Sequence, residues 1–154
     1  MSRDIVIRPA NMDDLDVLLD FEQKLIDAER PHASNLKPGD IVYYDLPKLM
    51  NSENARVAVA QVGNDIVASG YARIDPSKPH NISENHSYLG FMYVVPEWRG
   101  QRLNKLILDH LVEWSREKGI TTCVLDVYAS NEAAINAYRK AGFTSNLLEM
   151  VLEP

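Results

Sequence analysis

Apolar residues along this chain fall into two periods, and the switches between them lay out the elements. Ile5, Val6 and Ile7 read as a short first strand that Pro9 closes. Asn11 supplies an N-cap ahead of the acidic first turn Met12-Asp13-Asp14. Leu15, Leu18, Leu19, Leu25 and Ile26 then recur at helical spacing as far as Arg30, where Pro31 stops the helix. Pro38-Gly39-Asp40 opens a second, shorter helical segment holding Ile41, Tyr43, Tyr44, Leu46 and Leu49, with Pro47 marking a break or a very short helix. Arg56 to Val62 and Ile66 to Ile74 alternate in the strand manner around Gly63-Asn64-Asp65, a hairpin signal. Residues 75–85 are polar and carry Pro76 and Pro79, so they form a loop. Tyr88 to Val95 is a near-continuous apolar run ended by Pro96, which suits a strand buried on both faces.

Leu103, Leu106, Ile107, Leu111 and Trp114 mark a third helix that Gly119 ends. Thr122 to Tyr128 is a strand, Asn131 to Ala141 a fourth helix closed by Gly142, and Leu147 to Leu152 a last strand. The order βα(α)βββαβαβ predicts an α/β fold with a mixed sheet covered by helices on both faces. No repeat, linker or low-complexity tract interrupts the 154 residues, so one domain spanning 1–154 is expected. At that length folding buries roughly 70% of the chain's surface, enough for a core without staples.

Charge narrows the partners. A net charge of −6 disfavours nucleic acid and leans toward a cationic small molecule. No apolar run is long enough to span a membrane, and Met1-Ser2-Arg3-Asp4 lacks the apolar core of a secretory leader, so a cytoplasmic protein is expected. Cys123 is the one cysteine, which excludes an intrachain disulfide and reads as a small buried hydrophobe. The four histidines have no metal-like spacing with carboxylates or with Cys123, so no metal is expected.

Two segments carry candidate chemistry. The turn Val94-Val95-Pro96-Glu97-Trp98-Arg99-Gly100-Gln101-Arg102-Leu103-Asn104 leads from a strand into a helix, whose unpaired N–H groups and positive dipole end suit a pyrophosphate. In the second, Asn131 is a good N-cap and Glu132 sits at the positive end, while Arg139 and Lys140 suit the negative end. Ala133, Ala137 and Ala141 form a small-residue stripe open to close packing, and Asn131, Ala134 and Tyr138 share one face. That face projects a phenol which, at its ordinary proton affinity, stays protonated at neutral pH and can donate to a leaving thiolate.

Together these segments resemble the cofactor half of the GNAT family of N-acetyltransferases. The stretch from Asn131 through Ala134 and Tyr138 to Gly142-Phe143 is similar to the family's Asn-x-x-Ala-x-x-x-Tyr-x-x-x-Gly-Phe ending. The earlier turn resembles the family's lead-in at Arg99, Gly100 and Gln101. It departs where Arg102 stands in place of glycine and Asn104 in place of glycine or alanine. The Arg102 side chain must then point away or fork onto a phosphate, and neither substitution forbids helical backbone angles, so the N–H cradle can persist. The resemblance implies a sheet whose two central parallel strands splay, with acetyl-CoA as cosubstrate lying along the opening. It implies cofactor contacts from the backbone of Met92, Val94 and Val95, from Arg99 to Asn104 including Leu103, and from Asn131 and Ala134. It implies Tyr138 as general acid, and direct transfer of an acetyl group to an amine.

The resemblance leaves the acceptor side open. Family members often carry a carboxylate on the strand placed here at Tyr88 to Val95, and this chain has none between Ser87 and Pro96. Glu22, on the apolar stripe of the first helix, is a candidate acceptor group or base. Glu84 and His86, just before the central strand, are candidate bases, as are Glu29 and His32 at the first helix's end. Tyr43 and Tyr44 are candidate walls of an acceptor pocket, while Asp126 and His110 read as structural. The expected reaction is acetylation of a small-molecule primary amine. The alternatives are acetylation of protein N-termini or lysines, and a non-catalytic acyl-CoA-binding module. Pairing of the last strand with a second copy leaves a homodimer open.

Overall fold

The computed structural model describes residues 4–154. Strand β1 (Ile5–Pro9) leads through a capped 3-10 turn into helix α1 (Leu15–Glu29). A short helix α2 (Leu46–Met50), the hairpin β2 (Ala55–Val62) and β3 (Asp65–Pro76), and strand β4 (Asn85–Val94) follow. Helix α3 (Leu103–Glu117), strand β5 (Cys123–Leu125) and helix α4 (Glu132–Lys140) complete the order. The sheet runs β1-β2-β3-β4-β5, antiparallel until β4 meets β5 in parallel.

The start of α1 is built as the sequence implies. Asn11 accepts from Asp13 N–H, and Asp14 accepts from Asn11 N–H at 2.9 Å. Arg8 clamps the Asp14 carboxylate with two bonds, at 2.8 and 2.9 Å, and holds its proton affinity below the usual carboxylate range.

The two faces of the sheet are packed differently. On one, Leu103, Ile107, Leu108, Leu111 and Trp114 of α3 press on small residues, Ala58, Ala60, Ala68 and Ala72. Gly70 lies in that row, and a Cβ there would meet Ile107 Cγ2 at 2.5 Å, so α3 sits close to the sheet. On the other face, Leu18 and Phe21 of α1 and Leu46 of α2 cover Val57, Val59, Tyr71, Phe91 and Tyr93. The expected sheet with helices on both faces is therefore present.

Four expectations change. Residues 38–45 are not helical, and Pro47 lies in the first turn of α2, where its missing N–H costs nothing. Strand β5 is three residues long instead of seven, because its ladder with β4 stops at Leu89↔Leu125. Residues 147–152 form no strand. Leu147, Leu148, Met150 and Leu152 stand 73–87% exposed, since the short β5 offers no edge long enough to pair with. Ala133 and Ala137 face solvent, so the alanine stripe packs against nothing at those two positions.

Candidate active site

The site grows out of the point where β4 and β5 part. Ser69 pairs with Tyr93 and Tyr71 with Gly90, so Phe91 and Met92 together oppose the single Gly70. This is a β-bulge, and Phe91 carries it with φ 56°. Its ring is 1% exposed and packs on Tyr44 at 5.1 Å, which holds the backbone in a conformation a non-glycine residue avoids. Sequence reasoning missed the bulge, although Gly70 and Gly90 in adjoining strands were its signal. Beyond Leu89 the β5 side of β4 has no strand partner, which leaves the splayed opening the resemblance implied.

Along that opening the predicted backbone contacts divide. Val94 O accepts from Arg99 Nε at 3.0 Å. Val95 donates its N–H to Val67 O and accepts from Trp98 N–H. Val95 and the Val94 carbonyl are thus already bonded within the protein, as is Phe91 O, which accepts from Ser69 Oγ at 3.0 Å, and β4 beyond Leu89 is the stretch an added strand could join. Arg99 is folded back, its guanidinium 5.8 Å from the Tyr93 ring centre.

The mouth of α3 fits an anionic diphosphate. Gly100 takes φ 81°, Gln101 follows it, and Arg102 takes φ 63° at the N-cap, with no side-chain cap. Arg102 thus adopts the left-handed backbone suited to the glycine it replaces, not helical angles. No protein group among the described residues accepts the N–H groups of Leu103, Asn104 and Lys105, which remain donors for a phosphate.

Helix α4 carries the second predicted segment, with Tyr138 and Phe143 packed against the core that α3 forms with the sheet. Asn131 Oδ1 caps the helix by accepting from Ala134 N–H at 3.3 Å, leaving its amide nitrogen to face outward contacts. Tyr138 stands a turn further on, its ring 6.0 Å from Phe143 in an edge contact. Its hydroxyl has no hydrogen-bond partner among the described residues and is not sealed from solvent. Burial pushes its pKa up to about 12, and the Glu29 charge adds to the shift. The phenol is therefore protonated at neutral pH and has a free O–H to donate.

The acceptor candidates separate clearly. Glu22 is 1% exposed, and its Oε2 accepts from Tyr43 N–H at 2.9 Å and Tyr44 N–H at 2.8 Å. It pins the segment before α2 onto α1, which makes it an anchor instead of the base it was a candidate for. Glu84 is exposed in the turn before β4. At about 3.3 Å per residue it lies some 20 Å along the strand from the bulge, too far to act there. His86 accompanies it, 2.9 Å from Ser77 Oγ. Asp126 is exposed and accepts from the Tyr88 hydroxyl at 3.0 Å. His110 is half-buried against Arg56 at 3.1 Å, the satisfied histidine its position implied. Cys123 is half-buried, and burial pushes its thiol up, away from nucleophilic use. Among the described residues no group of three or more His, Cys, Asp or Glu is placed to hold a metal ion, and no helix is long and apolar enough to cross a membrane.

A mixed sheet with a bulged β4 whose ladder to β5 stops early, a bare helix mouth and a phenol free to donate are the features this site offers. Residues 21–143 match the Acetyltransferase (GNAT) family, and the chain belongs to that family. The ribosomal protein bS18 alanine N-acetyltransferase of Escherichia coli is 40% identical over 50 residues, 32% of this chain and 34% of that protein. The chain thus matches about a third of that relative's length. A predicted acetyltransferase from Clostridium acetobutylicum, solved with acetyl-CoA, superimposes with a TM-score of 0.74 at 21% identity, over 97% of this chain and 96% of that one. An aminoglycoside 6'-N-acetyltransferase from Acinetobacter haemolyticus gives 0.75 at 15% identity, over 97% of each chain. These two likenesses establish the fold.

Proposed function

We infer that this protein transfers an acetyl group from acetyl-CoA to the primary amine of a small molecule, by direct attack within a ternary complex. The observation that carries the reading is Tyr138: a protonated phenol without a protein partner, on α4, which the family resemblance places facing the opening between β4 and β5. When bound, acetyl-CoA supplies an activated acetyl group. The α3 N-terminus from Leu103 to Lys105 would hold its diphosphate, Arg102 lying at the rim as a further cation. The open side of β4 from Met92 to Val94 would pair with its pantetheine arm, and Asn131 and Ala134 would border it. Tyr138 gives its proton to the departing sulfur, which spares the reaction a free thiolate. A main-chain N–H at the bulge is the donor for charge developing on the acetyl oxygen.

The similarity to a ribosomal-protein alanine N-acetyltransferase supports a second reading, acetylation of a protein N-terminus. An acceptor panel that includes simple amines, aminosugars and short peptides, read by amine-dependent thiol release, separates the two. Turnover of small amines with inert peptides is expected. Turnover of peptides alone would overturn the small-molecule assignment. Stabilisation by acetyl-CoA with no thiol release from any acceptor would leave only a binding module.

A further inference from the structure

Glu29 is out of place by every local rule. It is the last residue of α1, where the macrodipole's negative end disfavours a carboxylate, and no basic residue stands in that last turn. It is half-buried, and among the described residues it makes no ion pair and no hydrogen bond of ordinary length.

The surroundings bring it to the cleft. Glu22 holds Tyr43 and Tyr44 by their backbone, Gln23 Nε2 bonds Ile41 O at 2.9 Å, and Arg30 bonds Lys37 O and Gly39 O. Glu22, Gln23 and Arg30 thereby tie residues 37–44 to α1 and its C-terminal end. The Tyr43 hydroxyl is buried and unpartnered, and it approaches the Glu29 carboxylate and the Tyr128 phenol without completing a bond to either. His32 Nδ1 lies 2.7 Å from Ser130 Oγ, which ties the end of α1 to the turn before α4. The Glu29 charge is felt at Tyr43, at Tyr44 and at Tyr138. An incomplete polar cluster among phenols thus lies within electrostatic reach of the proposed general acid.

We propose that Glu29, beside the phenols of Tyr43, Tyr44 and Tyr138, binds the acceptor's ammonium group and takes its proton. This rests on the acetyl-transfer reading above and names its missing base. Glu29 takes one of the three ammonium protons. The freed lone pair forms the C–N bond to the acetyl carbon as the C–S bond breaks. Tyr138 gives its proton to sulfur and recovers one from the second ammonium proton. The amide keeps the third, and the Glu29 proton leaves to water, so one proton is released per turnover. Burial raises the proton affinity of Glu29, which strengthens it as a base, while His32 and Tyr43 oppose that shift. The other groups facing it are Tyr44 and Tyr138, both protonated at neutral pH.

The test compares wild type with Glu29→Gln and Glu29→Asp, using butylamine and the weakly basic trifluoroethylamine as acceptors over pH 6–10. For butylamine at pH 7, Glu29→Gln should lose at least 100-fold in kcat/KM, and its rate should climb about tenfold per pH unit as free amine accumulates. For trifluoroethylamine, already neutral, the loss should shrink below tenfold. Glu29→Asp should recover part of the butylamine rate, and the melting temperature of Glu29→Gln should be no lower than that of wild type. A wild type active on butylamine with an equally active Glu29→Gln overturns the role of Glu29 alone. So does an equal, pH-independent loss on both amines, which marks a structural defect. A wild type inert towards every amine overturns the acetyl-transfer reading, and this proposal with it.

Discussion

Replacing Glu22 separates an anchor from a base. Its Oε2 holds two backbone N–H groups at 2.9 and 2.8 Å in a site that is 1% exposed. A hydrogen bond to a charged group contributes about 1.5–3 kcal/mol, and a buried donor left without an acceptor costs a similar amount. Glu22→Ala strands both donors and should cost about 3–5 kcal/mol, a third or more of the stability of an ordinary domain. Glu22→Gln keeps a carbonyl oxygen in the same place for both donors. It loses only the charge, which roughly halves each bond, so the cost falls to about 1–2 kcal/mol. Urea unfolding followed by tryptophan fluorescence measures both. Thiol release should show the Gln variant within about threefold of wild-type kcat, with any deficit appearing in KM as the Tyr43–Tyr44 segment loosens. A Gln variant of unchanged stability whose kcat falls 100-fold would refute the anchor assignment and return Glu22 to the chemistry.

Tyr138→Phe keeps the ring against Phe143 and should leave stability within about 1 kcal/mol, while kcat falls about 100-fold or more; unchanged turnover removes Tyr138 from the mechanism. With its pKa up to about 12, Tyr138 stays protonated across the assay range, so wild-type activity should show no alkaline fall from this group below about pH 11. Arg102→Gly relieves a left-handed non-glycine residue, worth about 1–2 kcal/mol, against a glycine entropy cost of about 0.5–1 kcal/mol. A net gain of about 0.5 kcal/mol is expected in thermal unfolding, and a weaker coenzyme A dissociation constant would show the guanidinium in contact with phosphate. Gly90→Ala would set a Cβ 2.3 Å from Tyr71 Cε1, a ring that is 1% exposed, and should cost about 1–3 kcal/mol in urea unfolding.

The parts of this molecule that sequence revealed are those governed by neighbours in the chain. The Asn11 cap, the Gly63-Asn64-Asp65 hairpin, the apolar stripe of α3 and the Gly142 stop each follow from a period or a turn residue. So does the fourth helix, which carries Asn131, Ala134 and Tyr138 within about two turns. On the proposed acceptor side the residues Glu29, His32, Tyr43 and Tyr44 could be named as candidates, but not how they meet, since α1, the segment before α2 and the start of α4 lie up to about a hundred residues apart. His32 meeting Ser130 leaves no periodic trace. Glu22 looked like a carboxylate aimed at a cleft because the stripe shows burial, while its two amide partners come from twenty residues away. The last apolar run had the composition of a strand, but a strand needs an edge, and composition does not report where β5 ends.

Several departures from local rules fall in the segments proposed for the site. Phe91 and Arg102 are the non-glycine residues with positive φ among those described, Tyr43 Oη is the buried oxygen without a partner, and Glu29 is an acid at the wrong end of a helix. Such features cost stability and persist where the surrounding structure over-determines them. For Glu29 the sign can be worked. Its proton affinity is raised in the folded state, so its contribution favours folding below the ordinary carboxyl range and is lost as pH rises through the folded value. At pH 8 the folded protein carries an unpaired, half-buried charge that the unfolded chain leaves in water. Glu29→Gln should therefore melt above wild type at pH 8, with the gap closing towards pH 4 as wild type takes up the proton. If the variant melts below wild type at pH 8, or if the gap does not change with pH, the carboxylate is satisfied where it stands and has no proton to trade with a substrate.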